Sequence, residues 1–565
     1  MTIRLAIQFL LMTWILGCSS PPERRAASSL KGDVTRDASG SKGATDESRV
    51  VDENGDVLLI NTAFPRLSHR QWENSVRDVL YLPNVPGLSV NFLADPPGSL
   101  FGNDASLLKI TPNLWTDYQK AAEQVAADLV ANAEQVKKLL PPTLPSDAKE
   151  LAKAIVEPLA MRAYRRYPNA GETDALVQLF LRGEELTGNP DRLLGGLHIV
   201  VAALLQSPNF LYRSELGASQ VGTTVVLTAS EIASRLSYAI WNSIPDTTLI
   251  DLADSGDLLK PEVRKAQVTR MMKDPRALSI LTFFFAKALR IDSFLTIAPK
   301  DSALFPEWSA DLNTSIHREA ELFIADVVGT SGKGLNEVLT APYTFVNDKT
   351  APLYGLKTVG NDMKKVALDP SQRAGFLTQI GFLALNATKS ETDPIHRGVY
   401  SSVNIACADL VPPAGIIPTL PKESEAKTMR ERVEAHTGKG TCGSSCHGNL
   451  INPAGYAFEN FDAAGRWRTS ENGQAIDAAA ELFLGATPLP FNGPVEFSKA
   501  LAGNLDVHKC FAAKALELLY GRVHDDGDKG LIRAIAKASL DGASTQDLFF
   551  QLLNDAKITQ RVSKE

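Results

Sequence analysis

Two thiols and an imidazole stand together in one stretch of this chain, Thr441-Cys442-Gly443-Ser444-Ser445-Cys446-His447. A cysteine pair followed at once by histidine is the layout that attaches haem of the c type: the thiols add to the two vinyl groups and the imidazole reaches the iron from one side. Three residues separate the cysteines here, where the usual motif has two. The same residues therefore also admit a local Cys442–Cys446 disulfide, or a zinc site with His436 as fourth ligand beside Cys442, Cys446 and His447. His436, His396 and Met429 are the candidates for a second iron ligand. Arg466 and Arg468 are of the type that pairs carboxylates such as haem propionates, and Trp467 between them could lie against the ring. Glu459 and Asp462 form an acid pair at i, i+3, but with Gly465 close by their spacing reads as capping of a turn rather than catalysis. No Gly-rich phosphate loop, G-x-S-x-G elbow or H-E-x-x-H motif occurs.

Of the other cysteines, Cys18 closes an N-terminal stretch with the layout of an export signal: Arg4, then the apolar run Leu5 to Leu16, which is too short to span a bilayer. Its end, Ile15-Leu16-Gly17-Cys18, resembles a bacterial lipobox, and the resemblance implies that Cys18 is acylated and becomes the mature N-terminus. An ordinary secretory signal is the alternative. Ser19 and Ser20 are not the aspartate that retains such lipoproteins in the inner membrane, so the resemblance implies an exported protein anchored at the outer membrane through Cys18. In that oxidising setting Cys407 and Cys510 most simply pair with each other, clamping the motif region between them, with two buried free thiols as the alternative.

The elements that must position these residues read as helix after helix. Ser68-His69-Arg70-Gln71 and Thr228-Ala229-Ser230-Glu231 have capping-box form, each followed by apolar residues at helical spacing: Trp72, Val76, Val79 and Leu80 in the first, Ile232, Leu236, Ala239 and Ile240 in the second. Further helical patterns fill 114–139, 147–166, 172–182, 193–206, 258–290, 309–329 and 528–557, with Cys510 inside another from Glu496 to Gly521. Strand alternation is scarce outside about 467–495, where Asn472-Gly473 signals a hairpin. His69 and His198 read as structural histidines on these helices. The fold class is mainly α: several helical domains with a small hairpin-containing cytochrome-like region near the C-terminus.

The 565 residues carry 58 Lys plus Arg against 65 Asp plus Glu, a net −7, which removes the basic footprint of a nucleic-acid binder. With 44% hydrophobic and 22% charged residues a large core is available. Residues 19–57 hold no Phe, Trp or Tyr and read as a disordered tether, reaching about 35 Å as a flexible chain. Pro412, Pro413, Pro418 and Pro421 form a stiffer connector just before the cysteine pair. The expected division is a signal over 1–18, the linker 19–57, helical domains over 58–142, 143–222 and 223–356, a cytochrome-like domain over 357–480 and a C-terminal helical domain over 481–565.

After His447 the chain runs Ile451-Asn452-Pro453-Ala454-Gly455-Tyr456-Ala457-Phe458-Glu459-Asn460-Phe461-Asp462 and then Gly465-Arg466-Trp467-Arg468. This resembles the planctomycete cytochrome domain, in which the attachment motif precedes such a run. Companion planctomycete-type domains of unknown function are resembled by Leu67 to Leu80, Arg162-Ala163-Tyr164-Arg165-Arg166, Leu227 to Asp246, Arg373 to Thr378, Thr392 to Gly398, and Cys510 to Arg522. The resemblance implies haem c but supplies no reaction. The spacing of Cys442 and Cys446, and Asn452 where aspartate is frequent, depart from the family pattern.

The expectation is thus a cell-envelope lipoprotein resembling a c-type cytochrome, serving electron transfer with a redox partner protein or haem-linked oxidoreductase chemistry. The alternative is a haem-free envelope protein, binding or structural, whose cysteines are disulfide-bonded.

Overall fold

In the computed structural model the first helix, His69–Val79, begins where its capping box predicts: Gln71 N donates to Ser68 Oγ at 3.3 Å and Ser68 N to Gln71 Oε1 at 3.1 Å. The apolar stripe Trp72, Val76 and Val79 is buried. The helix Ala229–Trp241 starts on the same reciprocal bonds between Thr228 and Glu231. The structure describes residues 64–410 apart from 223 and 310, residues 427–438, and residues 447–562 apart from 486, with short strands at Val50–Val51 and Val57–Leu58 that pair with each other, so the end of the stretch expected as a disordered tether forms an antiparallel strand pair. Cys18, Cys442, Cys446 and the Pro-rich connector lie outside the described residues.

The protein is mainly α, with small antiparallel sheets. Several long helical patterns are interrupted, each time by a local cap. The 114–139 pattern is two helices, Pro112–Val130 and Ala133–Lys137, the second capped by Asn132. The 258–290 pattern breaks between Pro261–Met272 and Pro275–Ala288, where Asp274 caps and Pro275 starts the next helix. The 528–557 pattern breaks between Lys529–Leu540 and Thr545–Asn554 at Gly542 and the cap Ser544. Asn472 and Gly473 take positive φ and join the strands Ser470–Glu471 and Gln474–Ala475 as the hairpin signal predicts. Strands also form outside 467–495. Tyr343–Val346 pairs with Lys364–Ala367, and Thr224–Val226 is flanked by Ser219–Val221 and by Gln560–Val562 from the far end of the chain.

Packing gathers the helices into two large cores. One, built on Trp72, Tyr118, Leu159 and Leu205, takes in both segments before residue 222. The other runs from Leu227 through Phe284, Phe382, Phe458 and Phe511 to Ile558, with Phe101 of the first segment added to it, so the segments after residue 356 share it with the one before them. The helix Ala229–Trp241 faces both: Tyr238 belongs to the first core, and Ile232, Leu236 and Ile240 to the second. Cys407 and Cys510 are joined by a disulfide, the pairing read from the sequence, at a sequence separation of 103 and with Cα atoms 5.4 Å apart. No described helix is long and apolar enough to cross a membrane.

Candidate functional site

His447 opens a π-helical turn, His447–Ile451, that runs directly into the short helix Asn452–Tyr456. That helix crosses another, Pro394–Tyr400, at backbone contact. A Cβ on Gly455 would lie 1.9 Å from the Pro394 carbonyl oxygen, and one on Gly398 would lie 1.9 Å from the Ile451 carbonyl oxygen. Only glycine permits this approach, and it fixes the turn that carries His447.

The imidazole is held from one side. His447 Nδ1 lies 3.0 Å from Asn452 Oδ1. Asn452 is buried, and its Nδ2 donates to Thr437 Oγ1 at 2.9 Å, whose hydroxyl donates in turn to the Val433 carbonyl at 3.1 Å. With the amide oxygen as acceptor, the proton resides on Nδ1 and Nε2 is the nitrogen left to bind a metal. This is the arrangement by which ligating histidines are oriented. The chain ends on the backbone of the helix Met429–Thr437, which itself starts on a capping box between Thr428 and Glu431. Met429 and Val433 of that helix pack on Tyr456 in a small separate cluster, so the Met429 side chain serves packing there. His436, half-buried, precedes Thr437 on the same helix. His396 is largely exposed and bonds Asp393 through Nδ1 at 2.6 Å, which raises its pKa.

Two buried arginines fasten the segment after the helix. Arg397 donates to the carbonyls of Phe458 at 2.9 Å, Phe461 at 3.0 Å, Asp462 at 2.9 Å and Leu383 at 3.1 Å. Burial lowers its pKa to about 10. Arg373 donates to the Gly465 carbonyl at 2.7 Å and lies over the Phe461 ring. Sequence reasoning gave neither a role, although both stand in the family-like stretches. Beside Arg397, burial raises the Glu459 carboxyl to about 7, against the pull of Arg397 and Arg468. Glu459 Oε2 accepts from Thr392 at 3.1 Å, while its buried Oε1 has no partner among the described residues.

Asp462 caps the Gly465 turn, accepting from Ala464 N and Arg466 N at 2.9 Å each, as the sequence predicts, whereas Glu459, the other acid expected there, accepts from Thr392 instead. Arg466 donates to Asp462 at 2.8 Å and to Glu307 at 2.8 Å. Arg468 donates to the Glu459 carbonyl at 3.0 Å and to Glu471 at 3.1 Å. The two guanidinium groups expected to meet propionates are thus engaged by the chain's own acceptors, and Trp467 lies edge-on to Phe461 with ring centres 5.2 Å apart. Of the histidines read as structural, His69 lies edge-on to Phe92 with its pKa lowered by burial, and His198 sits half-buried on the helix Arg192–Gln206. Among the described residues no group of three or more His, Cys, Asp or Glu is placed to hold a metal ion. The zinc and local-disulfide alternatives turn on Cys442 and Cys446, outside the described residues.

The fold is that of a mainly helical, multi-domain protein. Four family models match in order along the chain, each described as a protein of unknown function: PSD3 (DUF1587) over residues 66–131, PSD5 (DUF1595) over 151–215, PSD4 (DUF1592) over 227–356 and PSCyt3 (DUF1588) over 373–471. The chain belongs to the planctomycete-type multi-domain proteins of unknown function, and residues 373–471 are its cytochrome-like domain. The stretches between Leu67 and Arg468 that resemble the family each fall inside one of these matches. No curated protein and no solved structure matches the chain.

Proposed function

We propose that this protein is a c-type cytochrome of the cell envelope, in which Cys442 and Cys446 hold haem c covalently and His447 ligates its iron through Nε2. The observation that supports this reading most is the bonded series from His447 through Asn452 and Thr437 to the backbone, which presents one defined ring nitrogen directly after the cysteine pair. Haem would supply a one-electron couple, serving electron transfer to a redox partner protein or oxidation of a substrate. The chain's own residues orient the ring: Asn452 holds the Nδ1 proton with a neutral acceptor, Gly398 and Gly455 set the helix crossing, and Arg373 and Arg397 fix the segment that follows. Export and anchoring at the outer membrane through acylated Cys18, with 19–57 as tether, complete the proposal. Limited proteolysis within 19–57 should release the folded body from the membrane fraction.

The test is expression of the full chain with a competent haem-maturation system, followed by denaturing electrophoresis and a haem stain. Covalent colour in the wild type, lost in a Cys442→Ala/Cys446→Ala variant of unchanged helical content, supports the reading. A colourless wild type whose mass shows two hydrogens lost at Cys442–Cys446 refutes it in favour of the haem-free envelope protein. Zinc found at one equivalent refutes it in favour of the metal site.

A further inference from the structure

A second site lies far from the motif in sequence, where segments from four parts of the chain meet. A pocket of about 30 Å³ is lined by Arg213, Glu215, Arg235, Tyr520, Arg522 and Lys557, with Pro65 and Ala105 also on its wall. About 10–15 Å³ suffices for a water molecule, so the space is of the size of a small ion.

The charges around it do not balance. Arg235 is paired in both arms with Glu215, at 2.6 Å each, and also donates to the carbonyls of Ile558 and Gln560. Arg522 is paired in both arms with Asp528, at 2.6 and 2.9 Å, and lies 3.5 Å from Asp525 as well. Lys557 donates to the Gly527 carbonyl and stands 3.4 Å from that same Asp528. Arg561 bonds the Glu215 carbonyl through Nε. Arg213 is left over. Its Nε is shut off from solvent without an acceptor, and no carboxylate forms an ion pair with it among the described residues. Its flat face rests on the Tyr238 ring at 5.2 Å, which Arg165 also approaches at 5.8 Å. Burial and the neighbouring Arg235 and Arg165 lower its pKa, against the pull of Glu215 and Tyr238, yet a guanidinium stays charged in proteins.

Arg213 is half-buried, so water reaches part of its guanidinium, but its Nε is a buried donor left without an acceptor, which is costly unless something compensates it. The remaining contacts are spent: each other cation at the cavity already has its carboxylate or carbonyl. Guanidinium groups hold oxyanions with paired, planar hydrogen bonds, and three further cations stand on the cavity wall. We propose that this cavity binds a tetrahedral oxyanion, inorganic phosphate or sulfate, with Arg213 as its principal ligand and Arg522 and Lys557 as supporting charges. The anion would join the segment after the helix Pro208–Leu211 to the C-terminal helices, whose elements otherwise meet here through Arg235 and the Gln560–Val562 strand. The proposal is independent of haem.

The test is calorimetric titration of the full chain with sodium phosphate and, separately, sodium sulfate, with sodium chloride and sodium acetate at matched ionic strength as controls. Saturable one-to-one binding of phosphate or sulfate, absent with chloride and acetate, is the expected result, and Arg213→Met should abolish it. Arg213→Met should also raise the thermal midpoint in oxyanion-free buffer, since it removes the buried Nε donor that lacks an acceptor, while cancelling the midpoint rise that phosphate gives the wild type. No saturable heat in the wild type overturns the proposal, as does equal binding in the variant. Acetate binding as tight as that of phosphate overturns the tetrahedral assignment. The wild-type titration alone decides the matter if the variant does not fold.

Discussion

Replacing Gly455 by alanine sets two effects of known size against each other. Alanine is the better helix former by about 1 kcal/mol, so at a solvent-facing helical glycine the change stabilises. Here the new Cβ would stand 1.9 Å from the Pro394 oxygen and 2.5 Å from its carbonyl carbon. Ordinary contact needs more than 3 Å, and both colliding atoms are backbone, with no rotamer to move aside. The helices must part by more than about 1 Å, and overpacking of this kind costs up to about 3 kcal/mol. The net is a loss of about 2 kcal/mol, or about thirtyfold in the local opening equilibrium. Hydrogen exchange read by mass spectrometry on peptides covering 394–400 and 447–456 reports that equilibrium without requiring the whole chain to unfold in two states. Gly398→Ala should act alike, its Cβ meeting the Ile451 oxygen at 1.9 Å. The double variant should cost less than the sum, because helices already parted by one methyl leave room for the other. Exchange in Gly455→Ala that is unchanged or slower, or strictly additive single effects, would refute the argument.

Cys407→Ser/Cys510→Ser removes a bridge across 103 residues, worth up to about 4.7 kcal/mol on the chain-entropy account. Calorimetry should show the midpoint falling for only part of the molecule, with faster exchange between 407 and 510 and none gained in the 69–206 helices. Glu459→Gln tests the raised carboxyl pKa of about 7. In that window the native state holds a proton that the unfolded chain gives up near pH 4.3, so wild-type stability falls as pH rises from about 4.3 to 7. Chemical denaturation across that range should show a flatter slope in the variant and a relative gain above pH 7; parallel curves would contradict it. Asn452→Leu cuts the link between His447 and Thr437. If haem is attached, changes of this kind typically weaken a metal site by about 10–100-fold, seen as displacement of His447 by added imidazole at lower concentration in absorbance titrations.

Much of the local structure was legible because its signals lie within a few residues. Ser68 with Gln71, Thr228 with Glu231, Asn472-Gly473 and the Asp462 cap of the Gly465 turn each satisfy backbone groups at short range, where sequence spacing is spatial spacing. The breaks at Asn132, Asp274 and Ser544 carried the same kind of signal, as capping residues inside long apolar patterns. The Cys407–Cys510 bond was legible too, from the expectation of an oxidising compartment and the pairing that leaves. Tertiary structure alone decided which carbonyls Arg373 and Arg397 hold, that Arg466 reaches Glu307, and that Gly398 and Gly455 meet. It alone paired Gln560–Val562 with Thr224–Val226, and it alone gathered the expected domains into two large cores. It also decided that Thr437 and Asn452 orient His447, and that Arg213 is stranded among cations. Apart from the His447–Asn452–Thr437 series, which spans 15 positions, these contacts join residues far apart in the chain. Their energy comes from desolvation and close packing after collapse, which depend on what the rest of the fold brings alongside and leave no periodic or local mark in the sequence.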